Sequence, residues 1–600
     1  MAKRRKIIVG AILAPFVVIA IDMLAGRSPY HPLVHVYRFM SWGICKSTAA
    51  GCQYDDNLSS PKVGQAAVAT SHHEATQVGI DILSEGGNAI DAAVAVGYAL
   101  AVVHPCCGNL GGGGFMTLRL SDKTTRFINF RETAPLAAAE TLYQDSEGKV
   151  VEGLSTDGYL AVATPGTVAG LEYAREKYGS GNFTREELIS PAQSLAEEGF
   201  TLSEPGQKLL SREMSETNKD SEVSAIFTKQ GEPLNPGDRL VQKDLAQTLA
   251  LIASEGSSAF YNGKIAERIV TDSQENGGIL TMRDFATYQV QDTEPLNCDY
   301  RGFTIVTAPP PGGGSVLCQM LNVVEGYPIG ESEYQSAQHL HWMLSAMLFA
   351  YRDRNLYFGD PDFSDIPLDR ILSDKYAEEL RTQVPRGKAV KLEDNFPKTR
   401  EGANTTHFSI VDGEGNAVAV TYTINTLFGS GIIAPETGFF LNNEMDDFTA
   451  KVGEANSYGL VQSEANRIEP GKRPLSSMTP TILMDANDNL YFVTGSPGGP
   501  TIPTTVFQII TNLIDFELSP YSAVNQPRIH YQGVPNIVLS EPFGVPGDSF
   551  VDLWEYGYKV SPFINWGAAM STGHQGKESQ AVKDFRRVQG EATSIDLTSE

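Results

Sequence analysis

Hydrophobic and polar positions alternate along the stretch that follows residue 404. In the run 406–411, Phe408 and Ile410 are separated by polar neighbours, which is the period of a strand with one buried face. A polar turn follows at 412–416, and a second run rich in Val and Thr extends from 417 to 424. The pattern predicts a β-hairpin with Thr405 at the head of its first strand.

The region from residue 63 mixes short apolar strands with helices. The pattern predicts a strand at 67–70, a helix at 74–83, a helix at 89–102 capped by Asn88, and a strand at 115–120. Four glycines at 111–114 lie between a helix and a strand, in the wrong order for a nucleotide-binding loop. They predict close packing of the backbone instead.

The middle of the chain, 165–400, is rich in Glu, Ala and Leu and is expected to be largely helical, with a Pro- and Gly-rich rigid loop at 308–314. Further strands are predicted at 481–484 and 490–494. Mixed helices and strands of this kind predict an α/β chain.

Composition narrows the classes of partner. The 600 residues are 41% hydrophobic and 20% charged, as in a globular protein, and the formal net charge is −26. Such a negative field argues against nucleic acid or an anionic membrane surface as the main partner. It still permits an acidic substrate, because a local Arg or Lys can outweigh the global charge.

The N-terminus has the pattern of an export segment. A basic run at 3–6 precedes an apolar run at 7–21. Residues 1–26 are therefore predicted to be a signal peptide or a membrane anchor, the two remaining open, and 27–60 a linker. Either form places the rest of the chain outside the cytoplasm, in the periplasm or facing it from the membrane.

Six cysteines are present, at 45, 52, 106, 107, 298 and 318, and their spacing matches no zinc motif. Export permits disulfides, and Cys45 could pair locally with Cys52. Cys106 and Cys107 are expected to be a buried structural pair of thiols. A catalytic Cys is disfavoured, because no base partner can be assigned.

Thr405 is the candidate nucleophile. If the Asn404–Thr405 bond is cut, Thr405 carries a hydroxyl and a free α-amine on one carbon, and the amine can act as general base. An α-amine titrates at about pH 8, so it accepts a proton without special tuning. Threonines begin many strands, so this assignment depends on an acidic run at 443–447, two serines after a proline at 474–478, and a Gly-rich loop at 494–500.

These motifs together make the chain resemble the γ-glutamyltransferase (glutathione hydrolase) family of N-terminal-nucleophile hydrolases. The resemblance covers about 62–542 and is carried by the runs 86–93, 108–116, 130–135, 405–407, 443–447, 474–478 and 495–499. It implies a four-layer αββα sandwich. It also implies self-cleavage at Asn404–Thr405 into a large subunit, 61–404, and a small catalytic subunit, 405–600, that stay together as a heterodimer.

The resemblance also implies a role for each site residue and no cofactor or metal. The substrates would be glutathione and other γ-glutamyl compounds, with water, amino acids or dipeptides as acceptors. The implied catalytic group is Thr405, Thr423, Gly498 and Gly499, the glycines forming the oxyanion hole. The implied substrate-binding group is Arg131, Ser476 and Ser477 for the α-carboxylate, Asn425, Glu444 and Asp447 for the α-ammonium, and Tyr458 in a lid at 451–460.

Two alternatives remain open. One is a cephalosporin (glutaryl) acylase or a relative that processes poly-γ-glutamate; the other is an exported, uncleaved binding protein without activity. Arg131, Asp447 and the serine pair favour a γ-glutamyl head group, because a glutaryl group has no ammonium. After residue 542 the family pattern fades, which leaves the edge of the small subunit undefined.

Overall fold

The computed structural model describes residues 63–217, 221–390, 405–562 and 565–597. The predicted export segment and linker, Cys45, Cys52 and Asn404 lie outside the described residues. Within those ranges, no helix is both long and apolar enough to span a bilayer.

Two seven-stranded sheets, antiparallel throughout, form the centre of the fold. The first contains, in spatial order, β21 (Glu591–Ile595), β2 (Ala66–Thr70), β12 (Thr405–Val411), β13 (Ala417–Thr423), β3 (Gly113–Arg119), β4 (Thr125–Phe130) and β9 (Gln291–Thr293). The second contains β1 (Val63–Gly64), β20 (Glu578–Val582), β19 (Ser571–Gln575), β15 (Leu490–Thr494), β14 (Thr481–Met484), β11 (Phe303–Thr307) and β10 (Leu296–Tyr300).

Short strands form three small sheets: β5 (Phe200–Thr201) with β8 (Arg239–Leu240), β6 (Thr228–Lys229) with β7 (Glu232–Pro233), and β16 (Ile529–His530) with β17 (Val538–Ser540) and β18 (Val560–Pro562).

A long series of helices lies between β2 and β12 in sequence. They are α1 (His73–Ser84), α2 (Ala89–Val103), α3 (Thr167–Tyr178), α4 (Arg185–Glu198), α5 (Glu204–Thr217), α6 (Ser221–Phe227), α7 (Lys243–Glu255), α8 (Ser257–Tyr261), α9 (Lys264–Glu275), α10 (Met282–Thr287), α11 (Gly314–Glu325), α12 (Ala337–Tyr357), α13 (Leu368–Ile371) and α14 (Asp374–Thr382). In the described part of the chain, three more helices follow β15: α15 (Thr501–Ile514), α16 (Pro520–Asn525) and α17 (Gly547–Tyr556). Single 3-10 turns occur at Tyr159–Ala161, Ile329–Glu331, Glu444–Asp447 and Glu464–Asn466.

Three apolar layers show how the sheets stack. Helices α1, α2, α4 and α7 cover the outer face of the first sheet, and α11, α12 and α15 cover the second. Between the sheets, Val411 and Ala419 pack with Ile482 and Val493. The predicted four-layer αββα sandwich is confirmed.

The strand period decides which way Thr405 faces. Phe408 and Ile410 of β12 belong to the helix-covered core, whereas Val411 belongs to the layer between the sheets. Side chains alternate along a strand, so the odd-numbered residues of β12 face the second sheet. Thr405 therefore faces the space between the sheets, at one end of the sandwich.

The predicted hairpin and most local elements are confirmed. Strands β12 and β13 pair in register from Thr405–Thr423 to Val411–Ala417. Asn88 caps α2, accepting from the backbone N–H groups of Ile90 and Asp91. The glycine run packs tightly, as expected: an added Cβ at Gly112 would lie 1.9 Å from the carbonyl oxygen of Thr423.

The prediction for Cys106 and Cys107 is wrong in its chemistry. The two residues are buried, but their sulfurs form a disulfide with each other rather than remaining thiols. A second disulfide joins Cys298 on β10 to Cys318 on α11.

Candidate active site

The hairpin holds two threonine hydroxyls against each other at the end of the first sheet. Thr405 and Thr423 are register partners, and the Thr405 Oγ1 donates to the Thr423 Oγ1 at 3.2 Å. The backbone N–H of Asn425 donates to the same Thr423 oxygen at 2.9 Å. Both threonines are at least 96% buried, being 4% and 3% exposed, so these contacts fix the direction of the Thr405 hydroxyl.

His407, the next residue on that face of the strand, has a structural role. Its Nδ1 lies 2.9 Å from the Thr421 Oγ1 and its Nε2 lies 3.0 Å from the Ser409 Oγ. Burial lowers the pKa of His407 to about 3, so the ring is neutral at physiological pH. Because both ring nitrogens are occupied, His407 is not a base for Thr405.

A narrow cavity beside Thr405 collects the predicted site residues. Its lining contains Arg131, Thr405, Thr423, Asn425, Glu444, Asp447, Tyr458, Ser476, Ser477 and Gly499. Of the predicted residues that the structure describes, Gly498 alone is absent from this lining, although it adjoins Gly499.

Among the described residues that line this cavity, Arg131 is the only cation. It directly follows β4, and its side chain is 1% exposed. One guanidinium nitrogen pairs with Glu444, and the other donates to the Asp447 Oδ2 at 2.5 Å. Its Nε donates to the Pro474 carbonyl oxygen at 3.3 Å. The predicted carboxylate-binding and ammonium-binding groups are therefore in direct contact with each other.

Glu132 is a residue that the sequence reasoning missed. Its carboxylate is 0% exposed and lies 3.7 Å from Arg131, and neither of its oxygens has a hydrogen-bond partner in the described part of the chain. Burial raises its pKa to about 7. The signal was available, because Glu132 is part of the 130–135 motif.

The carboxylates around Arg131 shift its pKa in the direction opposite to that of burial. Burial alone would lower the pKa of Arg131, but the carboxylates of Glu444, Asp447 and Glu132 outweigh it and raise the pKa above its usual value. Burial raises the pKa of Glu444 well above its ordinary range. One Glu444 oxygen, Oε2, has no hydrogen-bond partner among the described residues and is free to accept from a ligand.

Asp446, which was not assigned a role from the sequence, holds the lid in place and does not line the cavity. It accepts from the Ser155 Oγ at 2.7 Å and from the backbone N–H of Ser457 at 3.1 Å. Burial raises its pKa to about 6. This carboxylate ties the residue before Tyr458 to the acidic 3-10 turn.

Tyr458, the residue expected in the lid, lines the cavity. It is 5% exposed, and its hydroxyl donates to the Asn425 carbonyl oxygen at 2.8 Å. Its ring lies against Gly499, where an added Cβ would be 2.8 Å from a ring carbon. The lid thus spans the cavity from the hairpin to the glycine loop.

The serine pair is held by the rigid loop at 308–314. The backbone N–H of Ser476 donates to the Pro311 carbonyl at 2.8 Å, and the N–H of Gly313 donates to the Met478 carbonyl at 2.9 Å. A Cβ at Gly313 would lie 2.6 Å from the Ser477 carbonyl oxygen, so the two loops require glycine there.

Gly498 and Gly499 connect β15 to α15. Their φ angles are +136° and +54°, which favours glycine at both positions. Within the described ranges, neither N–H donates to another group. Free N–H groups at the N-terminal end of a helix attract developing negative charge.

One family model and relatives from two bacteria match most of the chain. The family model described as gamma-glutamyltranspeptidase matches residues 75–594, so the match continues beyond residue 542, where the sequence motifs ended. A glutathione hydrolase proenzyme from Pseudomonas sp. (strain A14) is 49% identical over 82% of this chain and 86% of its own length. The one from Escherichia coli (strain K12) is 45% identical over 83% and 86%.

Two solved structures have a similar fold. A cephalosporin acylase from Bacillus halodurans superposes with a TM-score of 0.79 at 26% identity, covering 92% of this chain and all of its own. The Helicobacter pylori gamma-glutamyltranspeptidase has a TM-score of 0.53 at 40% identity, covering 56% of this chain and 97% of its own.

Proposed function

This chain belongs to the γ-glutamyltranspeptidase family, and on that premise we propose that it cleaves glutathione and related γ-glutamyl amides and transfers the γ-glutamyl group to water, amino acids or dipeptides. One observation carries the proposal: the Thr405 hydroxyl shares a cavity with Arg131, Glu444 and Asp447. A buried cation next to two carboxylates complements the α-carboxylate and α-ammonium of a γ-glutamyl group.

Maturation comes first. The Thr405 Oγ1 attacks the carbonyl carbon of Asn404, the peptide rearranges to an ester, and water hydrolyses the ester, which frees the Thr405 α-amine. The cut would divide a larger chain that ends at Asn404 and contains the large subunit, 61–404, from a smaller chain, 405–600. They stay together because β12 and β13 of the small subunit lie between β2 and β3 of the large one. Separation would break both flanking rows of hydrogen bonds.

Binding then exchanges ion pairs. In this structure Arg131 is bound to Asp447 and Glu444. We infer that the substrate α-carboxylate takes their place on Arg131, assisted by Ser476 and Ser477. The α-ammonium in turn takes the place of Arg131 on the two carboxylates. Because each charge keeps an opposite partner, no buried charge is left uncompensated.

The chemical step uses the free amine. The Thr405 α-amine accepts the proton of its own hydroxyl, and the oxygen attacks the γ-carbonyl carbon. The N–H groups of Gly498 and Gly499 stabilise the oxyanion; one such donor contributes roughly 3 kcal/mol to lowering the barrier. The amine returns the proton to the departing amino group. Water or an acceptor amine then attacks the γ-glutamyl ester and restores Thr405.

The choice between a γ-glutamyl and a glutaryl substrate tests the proposal. The two differ only in the α-ammonium, which the unpaired Glu444 Oε2 and Asp447 suit. We expect the mature protein to hydrolyse γ-glutamyl-p-nitroanilide at least about 100-fold more efficiently (kcat/KM) than glutaryl-p-nitroanilide, because buried carboxylates left without the ammonium disfavour binding. Equal or reversed efficiencies would favour the acylase alternative.

Glu132 should give substrate binding a dependence on pH. Its pKa of about 7 means that it loses its proton as pH rises through neutrality, adding a negative charge beside Arg131. The attraction of Arg131 for the substrate carboxylate then weakens, so KM should rise between about pH 6 and 8. Glu132→Gln keeps the shape and removes the titration of Glu132, so the rise should become smaller, although the raised pKa of Glu444 leaves a second carboxylate beside Arg131. Identical KM–pH profiles for the two proteins would contradict this role.

Tyr458→Phe tests the lid. The substitution removes the hydrogen bond to Asn425 and keeps the ring, so the closed lid should lose about 1 kcal/mol. We expect KM for the γ-glutamyl anilide to rise about 3- to 10-fold. Tyr491→Phe, on a ring that packs against Phe303 outside the cavity, is the matched control. Unchanged KM in Tyr458→Phe would mean that the lid does not cover bound substrate.

We also propose export of the protein to the periplasm, either free or held by an N-terminal anchor. The basic run at 3–6 followed by the apolar run at 7–21 supports this proposal. N-terminal sequencing of the larger chain separates the alternatives, since a cleaved signal peptide removes Met1 and an anchor retains the apolar run.

A further inference from the structure

The Cys106–Cys107 disulfide lies behind the turn that carries part of the active site. It follows the end of α2, and both cysteines are 0% exposed. The backbone N–H of Ile424 donates to the Cys107 carbonyl at 3.0 Å, and the N–H of Phe428 donates to the Cys106 carbonyl at 2.9 Å. The two adjacent carbonyls thus hold both ends of the turn 424–428.

This turn needs external support. Asn425 and Phe428 have φ angles of +74° and +60°, a left-handed conformation that is unfavourable for residues with a side chain. Such a conformation persists only where surrounding contacts impose it. In this turn, two of those contacts come from the linked cysteines.

The turn at 424–428 positions the reacting groups. The N–H of Asn425 donates to the Thr423 hydroxyl, which accepts from the Thr405 hydroxyl. The Asn425 carbonyl accepts from the lid residue Tyr458. A displacement of the turn would therefore move the nucleophile's hydrogen-bond partner and the lid's anchor together.

We propose that the Cys106–Cys107 disulfide is a positioning element for the reaction, which keeps Thr423 and Asn425 in place by fixing the carbonyls of Cys106 and Cys107. The bond closes a small ring that contains the Cys106 carbonyl carbon and the peptide bond to Cys107. The ring therefore restricts the direction of the Cys106 carbonyl directly, and it restricts φ of Cys107, which places the residue that carries the second carbonyl. This role rests on the proposed function, because Thr423 and Asn425 matter to turnover only if Thr405 is the nucleophile.

The double variant Cys106→Ala/Cys107→Ala tests the role against the matched variant Cys298→Ala/Cys318→Ala. Small misalignments of reacting groups have large effects on rate, so we expect kcat of the first variant to fall about 10- to 100-fold, with a smaller rise in KM. The second variant should keep both constants.

The two double variants should rank in the opposite order when their melting temperatures are compared instead of their kcat values. Cys298 and Cys318 are 20 residues apart, whereas Cys106 and Cys107 are adjacent. A disulfide that closes a longer loop restricts the unfolded chain more. Tm should therefore fall more in the Cys298/Cys318 variant, and a purely structural role for Cys106–Cys107 could not produce a loss of kcat with little loss of Tm.

Wild-type kcat and KM in the Cys106/Cys107 variant would overturn the proposal. If that variant fails to mature, mature wild-type enzyme is treated with dithiothreitol in graded urea below the unfolding transition. Each disulfide reduced takes two electrons and two protons from the dithiol and yields two thiols, which are alkylated and quantified by peptide mass spectrometry. Activity should fall with alkylation of Cys106 and Cys107; full alkylation there with full activity would overturn the role. Absence of γ-glutamyl turnover in untreated wild type would instead refute the proposed function.

Discussion

Thr405→Ala is expected to remain a single uncleaved chain without γ-glutamyl turnover. The substitution removes the only atom that could attack the Asn404 carbonyl from this position, and it also removes the nucleophile of the mature enzyme. Both losses should be complete within detection: no smaller chain on a denaturing gel and at least about a 10⁴-fold fall in kcat/KM for γ-glutamyl-p-nitroanilide.

Two controls sharpen this result. Thr405→Ser retains a hydroxyl and should mature slowly and keep measurable turnover. Thr406→Ala removes the neighbouring hydroxyl, which is buried and has no hydrogen-bond partner in the described part of the chain, and should mature and turn over normally. Two clean subunits from Thr405→Ala would refute the assignment of the nucleophile.

Arg131→Lys is expected to raise KM for γ-glutamyl substrates about 100-fold while self-cleavage continues. Lysine keeps the positive charge between Glu444 and Asp447 but cannot bind a carboxylate in the bidentate manner of a guanidinium. Loss of a charged hydrogen bond costs roughly 1.5–3 kcal/mol, which sets the size of the effect. Arg131→Ala is a poorer test, because buried carboxylates left unpaired destabilise a fold by about 3–5 kcal/mol.

Arg126→Lys is the matched control. Arg126 lies near the start of β4, at the opposite end of the strand from Arg131, pairs with Asp292 and Glu294, and does not line the cavity. Its KM should equal that of wild type. If Arg131→Lys instead self-cleaved poorly and the fraction that matured showed the KM of wild type, Arg131 would have a structural role rather than a role in binding.

The elements that sequence patterns predicted well are those with one strongly apolar face. All residues of β12 and β13 are buried, but the face against the helices is strongly apolar, whereas the face toward the second sheet also carries Thr405, His407 and Ser409, so the sequence alternates. Strands β9, β10 and β11 were missed within a region expected to be largely helical. β9 and β10 are sheet edges with partly exposed residues, so their hydrophobic pattern is weak. β11 is five residues long and runs directly into the Pro- and Gly-rich loop at 308–314.

The C-terminal region shows the same limit. Ser571–Gln575 contains no aliphatic residue, yet it forms β19 by pairing with β15 and β20. Strand β21 pairs with β2, more than 500 residues earlier in the chain. Because these strands form through partners distant in sequence, the local pattern after residue 542 could not reveal them.

The candidate site was predictable in membership but not in its contacts. The resemblance implied Arg131 and Asp447, which are 316 residues apart, but not that they bind each other. Glu132 was missed because its significance depends on burial rather than on residue type. The bond between Cys106 and Cys107 likewise depends on local geometry that adjacency in sequence does not determine.

The N-terminal sequence of the smaller chain in the purified, mature protein is the most direct test of the account. We predict Thr-Thr-His-Phe-Ser, beginning at Thr405, in a preparation that hydrolyses a γ-glutamyl anilide. An active preparation consisting only of the uncleaved chain, or one whose smaller chain begins at any other residue, would contradict it.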